Sequence, residues 1–256
     1  TQILAKCGIP IQGKKIMDVG CYLGLQCFGA MELGASEAVG IDIPEYYVNQ
    51  STNNESVDAS KVLQNKRDKI RKLHPHLDQS KISFEDVSVF EMDYENEFDI
   101  IFSWETFEHI MNPKEALARI YKALKPGGIV FSQYNPFFCI SGGHSMCTLD
   151  FPFAHTLLTD EDFKKYVETI VPENAPPKYS ELSYNFFTKN LNRMTQNDLT
   201  KYINDVGFEL VNFMSMPDLS LLNVIDDSTL DSAKTIHPTL TLNDLLCSSV
   251  YFIGKK

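Results

Sequence analysis

Two apolar runs, each with an aspartate at its end, place the strongest constraint on the fold. They lie at 16–19 and 38–41 in the stretch KKIMDVGCYLGLQCFGAMELGASEAVGIDI. Runs of this length are typical of buried strands, and the segment between them has room for a helix. Ligands bind open α/β sheets outside the carboxyl ends of the strands. We therefore expect Asp18 and Asp42 to lie together at that edge.

The same alternation continues along the chain. Further short apolar runs at 82–84, 98–104 and 129–133 predict strands, with helical segments between them. The clearest helix is predicted over 113–124, where apolar residues recur at helical spacing before a Pro-Gly-Gly stop. Strands that alternate with helices predict an α/β protein with a mostly parallel sheet covered on both faces.

The pattern changes after Tyr134, where the chain becomes rich in proline, aromatic and polar residues. We interpret 1–135 as a ligand-binding core and 136–194 as an inserted cap over the strand ends. The regular pattern returns in 195–256, which we interpret as the last helix and closing strands of the core. Within that part, the long acidic stretch 217–244 receives no predicted structure.

The charge of the chain narrows the class of partner. Its 256 residues carry a formal net charge of −11, whereas proteins that hold nucleic acid neutralise phosphates with Lys and Arg. We find no apolar run long enough to span a bilayer, no N-terminal signal pattern and no CxxC pair among the six cysteines. We therefore expect a soluble, cytoplasmic protein that acts on a small molecule. Its oligomeric state stays open.

The glycines of the opening stretch indicate a ligand-binding turn. Gly20 and Gly24 allow a tight turn, and the helix that opens near Leu23 directs free N–H groups at a ligand. A carboxylate after the second strand suits the two hydroxyls of a ribose, and Asp42 is the candidate. A nicotinamide site shares these features, but its G-x-G-x-x-G fingerprint is absent here. A ligand without a pyrophosphate fits better, although a plain turn and a helix-capping Asp42 stay open.

Five motifs together resemble the class I S-adenosylmethionine-dependent methyltransferases. They occur in family order between Lys14 and Gln133: IMDVGCYLG, AVGIDI, FEDVSVF, FDIIFSWETFEHI and ALARIYKALKPGGIVFSQ. Each motif is loose, but five in order are specific. The resemblance implies a Rossmann-like, mostly parallel seven-stranded sheet with an antiparallel last strand, and S-adenosyl-L-methionine as the cofactor.

The resemblance also implies roles for individual residues. Asp42 holds the ribose, Asp86 and Val87 flank the adenine, and the end of the fourth strand lies beside the sulfonium. Tyr22 replaces the family's middle glycine, so its ring is expected to cover part of the cofactor. The full set of implied cofactor contacts is Asp18, Gly20, Tyr22, Gly24, Asp42, Ile43, Asp86, Val87, Ser103 and Trp104.

The stretch Trp104 to His109 indicates a possible metal site. A helix beginning there would bring Glu105, Glu108 and His109 onto one face. The spacing resembles the E-x-x-E-H metal site of magnesium-dependent O-methyltransferases, which implies Mg²⁺ or Mn²⁺. His144 is a further candidate ligand. We also assign possible catalytic roles to His144, Glu105 and His155. The alternative is that the Glu-His pair packs beneath the cofactor without metal.

These features favour methyl transfer to a hydroxyl of a small molecule or biosynthetic intermediate, with a divalent metal as a possible assistant. Alternatives are N-methylation of a small molecule, a non-catalytic scaffold with the same fold and a nicotinamide oxidoreductase. A nucleic-acid methyltransferase is disfavoured by the missing basic surface. The acceptor itself is not determined, because this fold serves many acceptors.

Overall fold

The computed structural model describes residue Leu4 and the ranges 6–44, 58–170 and 179–256. Seven strands form one sheet in the order β3-β2-β1-β4-β5-β7-β6. The strands are β1 (Lys15–Val19), β2 (Glu37–Asp42), β3 (Ile82–Asp86), β4 (Phe98–Trp104), β5 (Leu124–Tyr134), β6 (Glu209–Pro217) and β7 (Cys247–Lys255). Strand β7 runs antiparallel to both its neighbours, and the pairs from β3 to β5 are parallel. The predicted fold class is confirmed.

Helices connect the strands and fill the segment after β5. They are α1 (Leu25–Glu32), α2 (Ala59–Arg71), α3 (Pro113–Ala123), α4 (His144–Cys147), α5 (Ala154–Leu157), α6 (Asp160–Ile170), α7 (Tyr179–Lys189), α8 (Gln196–Val206), α9 (Asp227–Ile236) and α10 (Leu242–Leu246). Short 3-10 turns cover Gln79–Lys81, Phe107–His109 and Leu219–Asn223. The structure thus assigns elements to the stretch 217–244, for which the sequence predicted none.

Local sequence sets the ends of the predicted helices. Helix α3 has Pro113 in its first turn, and the Asn112 side chain accepts a hydrogen bond from the Glu115 amide. Helix α8 begins with a capping box of Thr195 and Asp198 and ends at Gly207, whose φ is 102°. These signals act within a few residues, which is why these helix ends lie within one residue of their predicted positions.

Two apolar clusters cover the two faces of the sheet. One cluster packs α3 and α8 against side chains such as Met17 and Val19 of β1. The other packs α1 against the opposite face, where Ile16 lies. Because both faces are covered, the strands of the parallel part read as nearly continuous apolar runs.

A third apolar cluster lies outside the sheet and joins two separate parts of the chain. Phe137, Phe163 and Phe187 come from the predicted cap, whereas Leu221 and Leu245 come from the segment between β6 and β7. The rings of Phe163 and Phe187 stack with centroids 3.9 Å apart. The acidic stretch with no sequence-based assignment therefore packs with the inserted segment.

Two further features concern the cysteines and the lengths of the helices. All six cysteines are free thiols, and all except Cys7 are buried. Burial raises the pKa of the Cys21 and Cys27 thiols well above the usual value, which keeps them protonated. Within the described ranges, no helix combines the length and apolarity that crossing a bilayer requires.

Candidate functional site

A cavity opens at the carboxyl ends of β1, β2 and β4, where the strand order reverses. Parallel sheets bind ligands at this point because the connections leave it in opposite directions. The lining residues are Val19, Gly20, Ile41, Asp42, Ile43, Val87, Ser88, Val89, Phe90, Glu105, Thr106, His109, Ile110 and Met111. Asp86 borders an adjoining groove that shares Asp42, Ile43 and Val87. Five of the candidate site residues, Gly20, Asp42, Ile43, Val87 and Glu105, therefore line one cavity.

Asp42 is fixed at the wall of this cavity by backbone donors. Its carboxylate accepts hydrogen bonds from the Tyr22 amide at 2.5 Å and from the Ile43 amide at 2.7 Å. The residue is 8% exposed. An acceptor held in one orientation at the end of β2 is suited to a pair of ribose hydroxyls.

Asp18 is buried more deeply, at the end of β1. It is 1% exposed, and its Oδ1 atom has no hydrogen-bond partner among the described residues. Burial and the nearby Asp42 carboxylate raise the pKa of Asp18 to about 7, although the Arg67 guanidinium opposes this shift. A buried carboxylate with one oxygen that lacks a hydrogen-bond partner among the described residues is a candidate contact for a cationic ligand group.

The two glycines of the turn are required by the protein's own packing. Gly20 and Gly24 have φ values of +78° and +77°. A Cβ atom would overlap the Thr106 side chain at Gly20 and the Phe84 ring at Gly24. The tight turn is as predicted, but side chains occupy the space beside both glycines. Only Gly20 of the pair is among the cavity-lining residues.

Tyr22 lies in the same turn with a φ of 43°, an uncommon value for a residue other than glycine. Its ring lies beside Lys66, whose Nζ atom is 5.8 Å from the ring centroid and 3.5 Å from the hydroxyl. Tyr22 is absent from the cavity lining. The expected position over the cofactor is therefore not what the structure shows, because the ring packs toward α2.

Ser103 and Trp104 are also absent from the cavity lining. The Ser103 hydroxyl donates to the Val19 carbonyl at 3.2 Å, which ties β4 to β1. The Trp104 ring packs edge-on against Phe131 and Tyr251. The chain reaches the cavity only after β4 ends, at Glu105.

Glu105 does not share a helix with Glu108 and His109. It has a φ of 50°, and its amide donates to the Gln133 carbonyl at 2.9 Å, which continues the β4–β5 pairing by one residue. The helical turn begins only at Phe107. The expectation of three ligands on one helical face is therefore wrong, and Glu105 instead lines the cavity as an exposed side chain.

Glu108, His109 and His144 do meet. One ligand atom from each lies within 4.8 Å of the other two, and the two imidazole centroids are 4.9 Å apart. The Glu108 Oε1 atom accepts from the Asn135 amide at 3.1 Å, whereas Oε2 is buried without a described partner. The His144 Nε2 atom is likewise buried without a described partner. His109 Nδ1 donates to the Asn190 carbonyl at 2.8 Å, which orients the ring.

Burial sets the charge of this group. It raises the pKa of Glu108 to about 7 and lowers the pKa of His109 to about 4. Burial also lowers the pKa of His144, against the attraction of Glu105. Both imidazoles are therefore neutral near pH 7, which is the form that binds metal ions. Two imidazoles and a carboxylate can hold a divalent cation, and the donor set fits this role.

His155 lies in a different environment from the one expected. It is 1% exposed within the third apolar cluster, and Nε2 donates to the Phe137 carbonyl at 2.8 Å and the Cys139 carbonyl at 3.0 Å. Its ring packs edge-on against Phe137. Burial lowers the pKa of His155 to about 4. His155 does not lie at the cavity. Its hydrogen bonds stabilise the segment just after β5.

One residue beside the site was not identified from the sequence. Arg67 of α2 is 2% exposed and donates from Nε to the Tyr22 carbonyl at 2.8 Å. The available signal was its position four residues after the buried Leu63, on the apolar face of a highly charged helix. A charged residue on such a face is normally exposed, so the pattern alone did not reveal its role.

Known proteins resemble this chain over most of its length. A family model for a methyltransferase domain matches residues 2–212. The mitochondrial ubiquinone biosynthesis O-methyltransferase of Dictyostelium discoideum is 27% identical over 126 residues, which cover 48% of this chain and 36% of that protein. The ubiquinone biosynthesis O-methyltransferase of Thiobacillus denitrificans is 30% identical over 124 residues, covering 48% and 44%. The chain thus spans less than half the length of these two curated relatives.

Solved structures share the fold at low identity. An S-adenosylmethionine-dependent methyltransferase from Mesorhizobium loti superposes with a TM-score of 0.58 at 13% identity, covering 100% of this chain and 96% of that one. The magnesium protoporphyrin IX methyltransferase of Synechocystis, solved with bound SAH, gives a TM-score of 0.55 at 12% identity, covering 100% and 78%. Identities this low support the shared architecture alone.

Proposed function

The chain belongs to the class I S-adenosylmethionine-dependent methyltransferase family, and from this we propose that it methylates a hydroxyl of a small molecule with the help of a divalent cation. The observation that carries the proposal is the buried group of Glu108, His109 and His144 beside the cavity. The chain's resemblance to two ubiquinone biosynthesis O-methyltransferases supports oxygen as the accepting atom.

The cofactor occupies the end of the cavity nearest β1 and β2 in this proposal. Asp42 accepts the ribose hydroxyls, and Ile43 and Val87 lie on either side of the adenine. Asp18 faces the ammonium group of the methionine portion, which would satisfy its unpartnered oxygen. This placement of the cofactor is supported by the positions of Asp42, Ile43 and Val87, which line one cavity.

The acceptor occupies the other end of the cavity. Methyl transfer from a sulfonium is an in-line displacement, so the chain mainly has to position the acceptor oxygen and remove its proton. Glu105 lines the cavity and carries an exposed carboxylate that can take this proton. Ile110 and Met111 add apolar side chains to the lining, which suits an acceptor with a ring or hydrocarbon portion.

The metal proposal rests on the chemistry of the donor set. Two imidazoles with one carboxylate suit a transition-metal ion such as Mn²⁺ better than Mg²⁺, which prefers oxygen ligands. A bound cation would orient the acceptor oxygen and lower the pKa of its hydroxyl. The chain's own part is to hold His109 through the Asn190 carbonyl and Glu108 through the Asn135 amide.

Calorimetric titration with S-adenosylhomocysteine tests the cofactor site, and a panel of catechols and other phenols tests acceptance at oxygen. Chelator-treated protein should lose methyl transfer and recover it with Mn²⁺. Activity that resists the chelator would contradict the role of a metal ion but would still be compatible with O-methylation. Cofactor binding with no turnover of any acceptor, amines included, would favour the scaffold alternative.

Two variants separate the metal group from general effects. Glu108→Gln removes the buried carboxylate, so it should lower Mn²⁺ affinity by about 10- to 100-fold. Glu168→Gln changes an exposed glutamate on α6 and should leave Mn²⁺ affinity unchanged. Equal Mn²⁺ affinity in both variants would contradict the assignment of Glu108 as a ligand.

A further inference from the structure

Arg67 is a buried cation placed behind the cofactor end of the cavity. It lies on α2 and is 2% exposed, whereas Lys66 and Lys69 on the same helix are exposed. Burying a guanidinium is costly unless its charge and its N–H groups have partners. The partners of Arg67 therefore indicate what the residue holds in place.

The first partner is the turn after β1. Arg67 Nε donates to the Tyr22 carbonyl at 2.8 Å, and the amide of the same Tyr22 donates to Asp42 at 2.5 Å. Tyr22 has a φ of 43°, a conformation that costs a residue with a side chain. Arg67 thus binds the carbonyl group and Asp42 binds the amide group of Tyr22, a strained residue between the two glycines of the turn.

The second partner is the end of β3. Arg67 Nη1 lies 3.7 Å from Asp86 Oδ1, and the guanidinium carbon lies 4.6 Å from the centroid of the Phe84 ring. Asp86 pairs in register with Asp42 on the adjacent strand β2. One side chain therefore connects the turn after β1 to the end of β3, the two strands that flank β2 in the sheet.

We propose that Arg67 is a positioning residue for cofactor binding, which fixes the turn after β1 and the carboxylate of Asp86 on either side of Asp42. This inference rests on the proposed cofactor site. It requires no contact between Arg67 and the cofactor, because the guanidinium acts through Tyr22 and Asp86.

The charge of Arg67 has a second effect at the same place. The Asp18 carboxyl interacts electrostatically with Asp42 on β2, with Arg67 on α2 and with the thiols of Cys21 and Cys27. Burial and Asp42 raise the pKa of Asp18, and Arg67 alone among these groups lowers it. Without Arg67, a higher pH is needed to ionise Asp18. If cofactor binding requires the ionised carboxylate, the pH at which half of the affinity is lost then becomes higher.

Three variants test the inference through the affinity for S-adenosylhomocysteine. Arg67→Met keeps the apolar stem but removes the charge and the donors, so the dissociation constant at pH 8 should rise by about tenfold or more. Arg67→Lys keeps the charge and should give an intermediate dissociation constant. A single ammonium group cannot reproduce the planar set of N–H donors of the guanidinium. The pH at which half of the affinity is lost should be higher in Arg67→Met than in the wild-type protein.

Arg71→Met is the matched control. Arg71 lies on the same helix, donates to the Ile82 carbonyl at 2.9 Å and lies 5.5 Å from the Phe84 ring centroid. Its hydrogen bonds support the start of β3 and the turn before it. We expect Arg71→Met to lower the melting temperature and leave the dissociation constant within about twofold of wild type.

Arg67→Met that binds within twofold of wild type, or Arg71→Met that loses as much affinity as Arg67→Met, would overturn the inference. If Arg67→Met does not fold, Arg67→Lys decides, and wild-type affinity with an unchanged pH midpoint would overturn it. If the wild-type protein itself does not bind S-adenosylhomocysteine, the proposed cofactor site fails, and the inference about Arg67 falls with it.

Discussion

The amide of Tyr22 donates a 2.5 Å hydrogen bond to the carboxylate of Asp42, so the turn after β1 is fastened to the end of β2. The Ile43 amide donates to the other carboxylate oxygen at 2.7 Å. Asp42 therefore shapes the wall of the cavity in addition to lining it. Its loss should affect the ligand through two routes, a missing acceptor and a loosened turn.

Asp42→Ala should weaken S-adenosylhomocysteine binding by about 1–3 kcal/mol, because hydrogen bonds to a charged acceptor are lost. Calorimetric titration measures this change. Asp93→Ala is the control, since Asp93 is an exposed surface acid paired with Lys122. Unchanged affinity in Asp42→Ala would remove the ribose assignment.

His144→Ala should reduce methyl transfer by about 10²- to 10⁴-fold if the residue is a ligand or base at the acceptor. The affinity for S-adenosylhomocysteine should stay the same, because His144 does not line the cavity itself and approaches it only through its contact with His109. The comparison is His76→Ala, an exposed histidine bonded to Glu32. A fall in melting temperature with unchanged turnover per folded molecule would make His144 structural.

Gly24→Ala should destabilise the fold by about 2–4 kcal/mol. The positive φ contributes about 1–2 kcal/mol, and overlap of the new methyl with the Phe84 ring adds the rest. Gly13→Ala isolates the backbone part, since Gly13 has a φ of +72° and open space around its Cβ position. Denaturant unfolding of both variants measures the difference. Equal losses would mean that Phe84 moves aside without cost.

His155 should make stability depend on pH in a defined window. Burial lowers its pKa from 6.5 to about 4, so below pH 6.5 the unfolded chain takes up a proton that the folded chain lacks. The stabilisation is complete above pH 6.5 and falls as the pH approaches 4, by up to about 1.4 kcal/mol per pH unit.

His155→Gln should remove this component, so lowering the pH from 7 to 5 should leave the free energy of unfolding of the variant higher, relative to its own value at pH 7, than the same change leaves that of the wild-type protein. Asp18 and Glu108 act in the opposite direction, because burial raises their pKa values to about 7. The comparison is therefore between the variant and the wild type rather than the slope of either alone. Parallel pH profiles would contradict the role of His155.

The sequence by itself determined the order of strands and helices and the edge of the sheet at which the cavity opens. Strand and helix signals are local, so the run that ends at Trp104 and the caps of α3 and α8 could be read directly. Asp42 follows a buried strand, and any parallel sheet delivers such a residue to the edge where ligands bind. These features depend on neighbours only a few residues apart.

Only the tertiary structure decided which side chains meet. Glu105 does not join Glu108 and His109, because its amide extends the pairing with Gln133, whereas His144 reaches those two residues from the segment after β5. Arg67 and His155 are buried through contacts with residues 45 and 18 positions away. Periodicity reports which face of an element is apolar, but it carries no information on the distance between two elements. That distance is set by packing, which is why the turn was predictable and its partners were not.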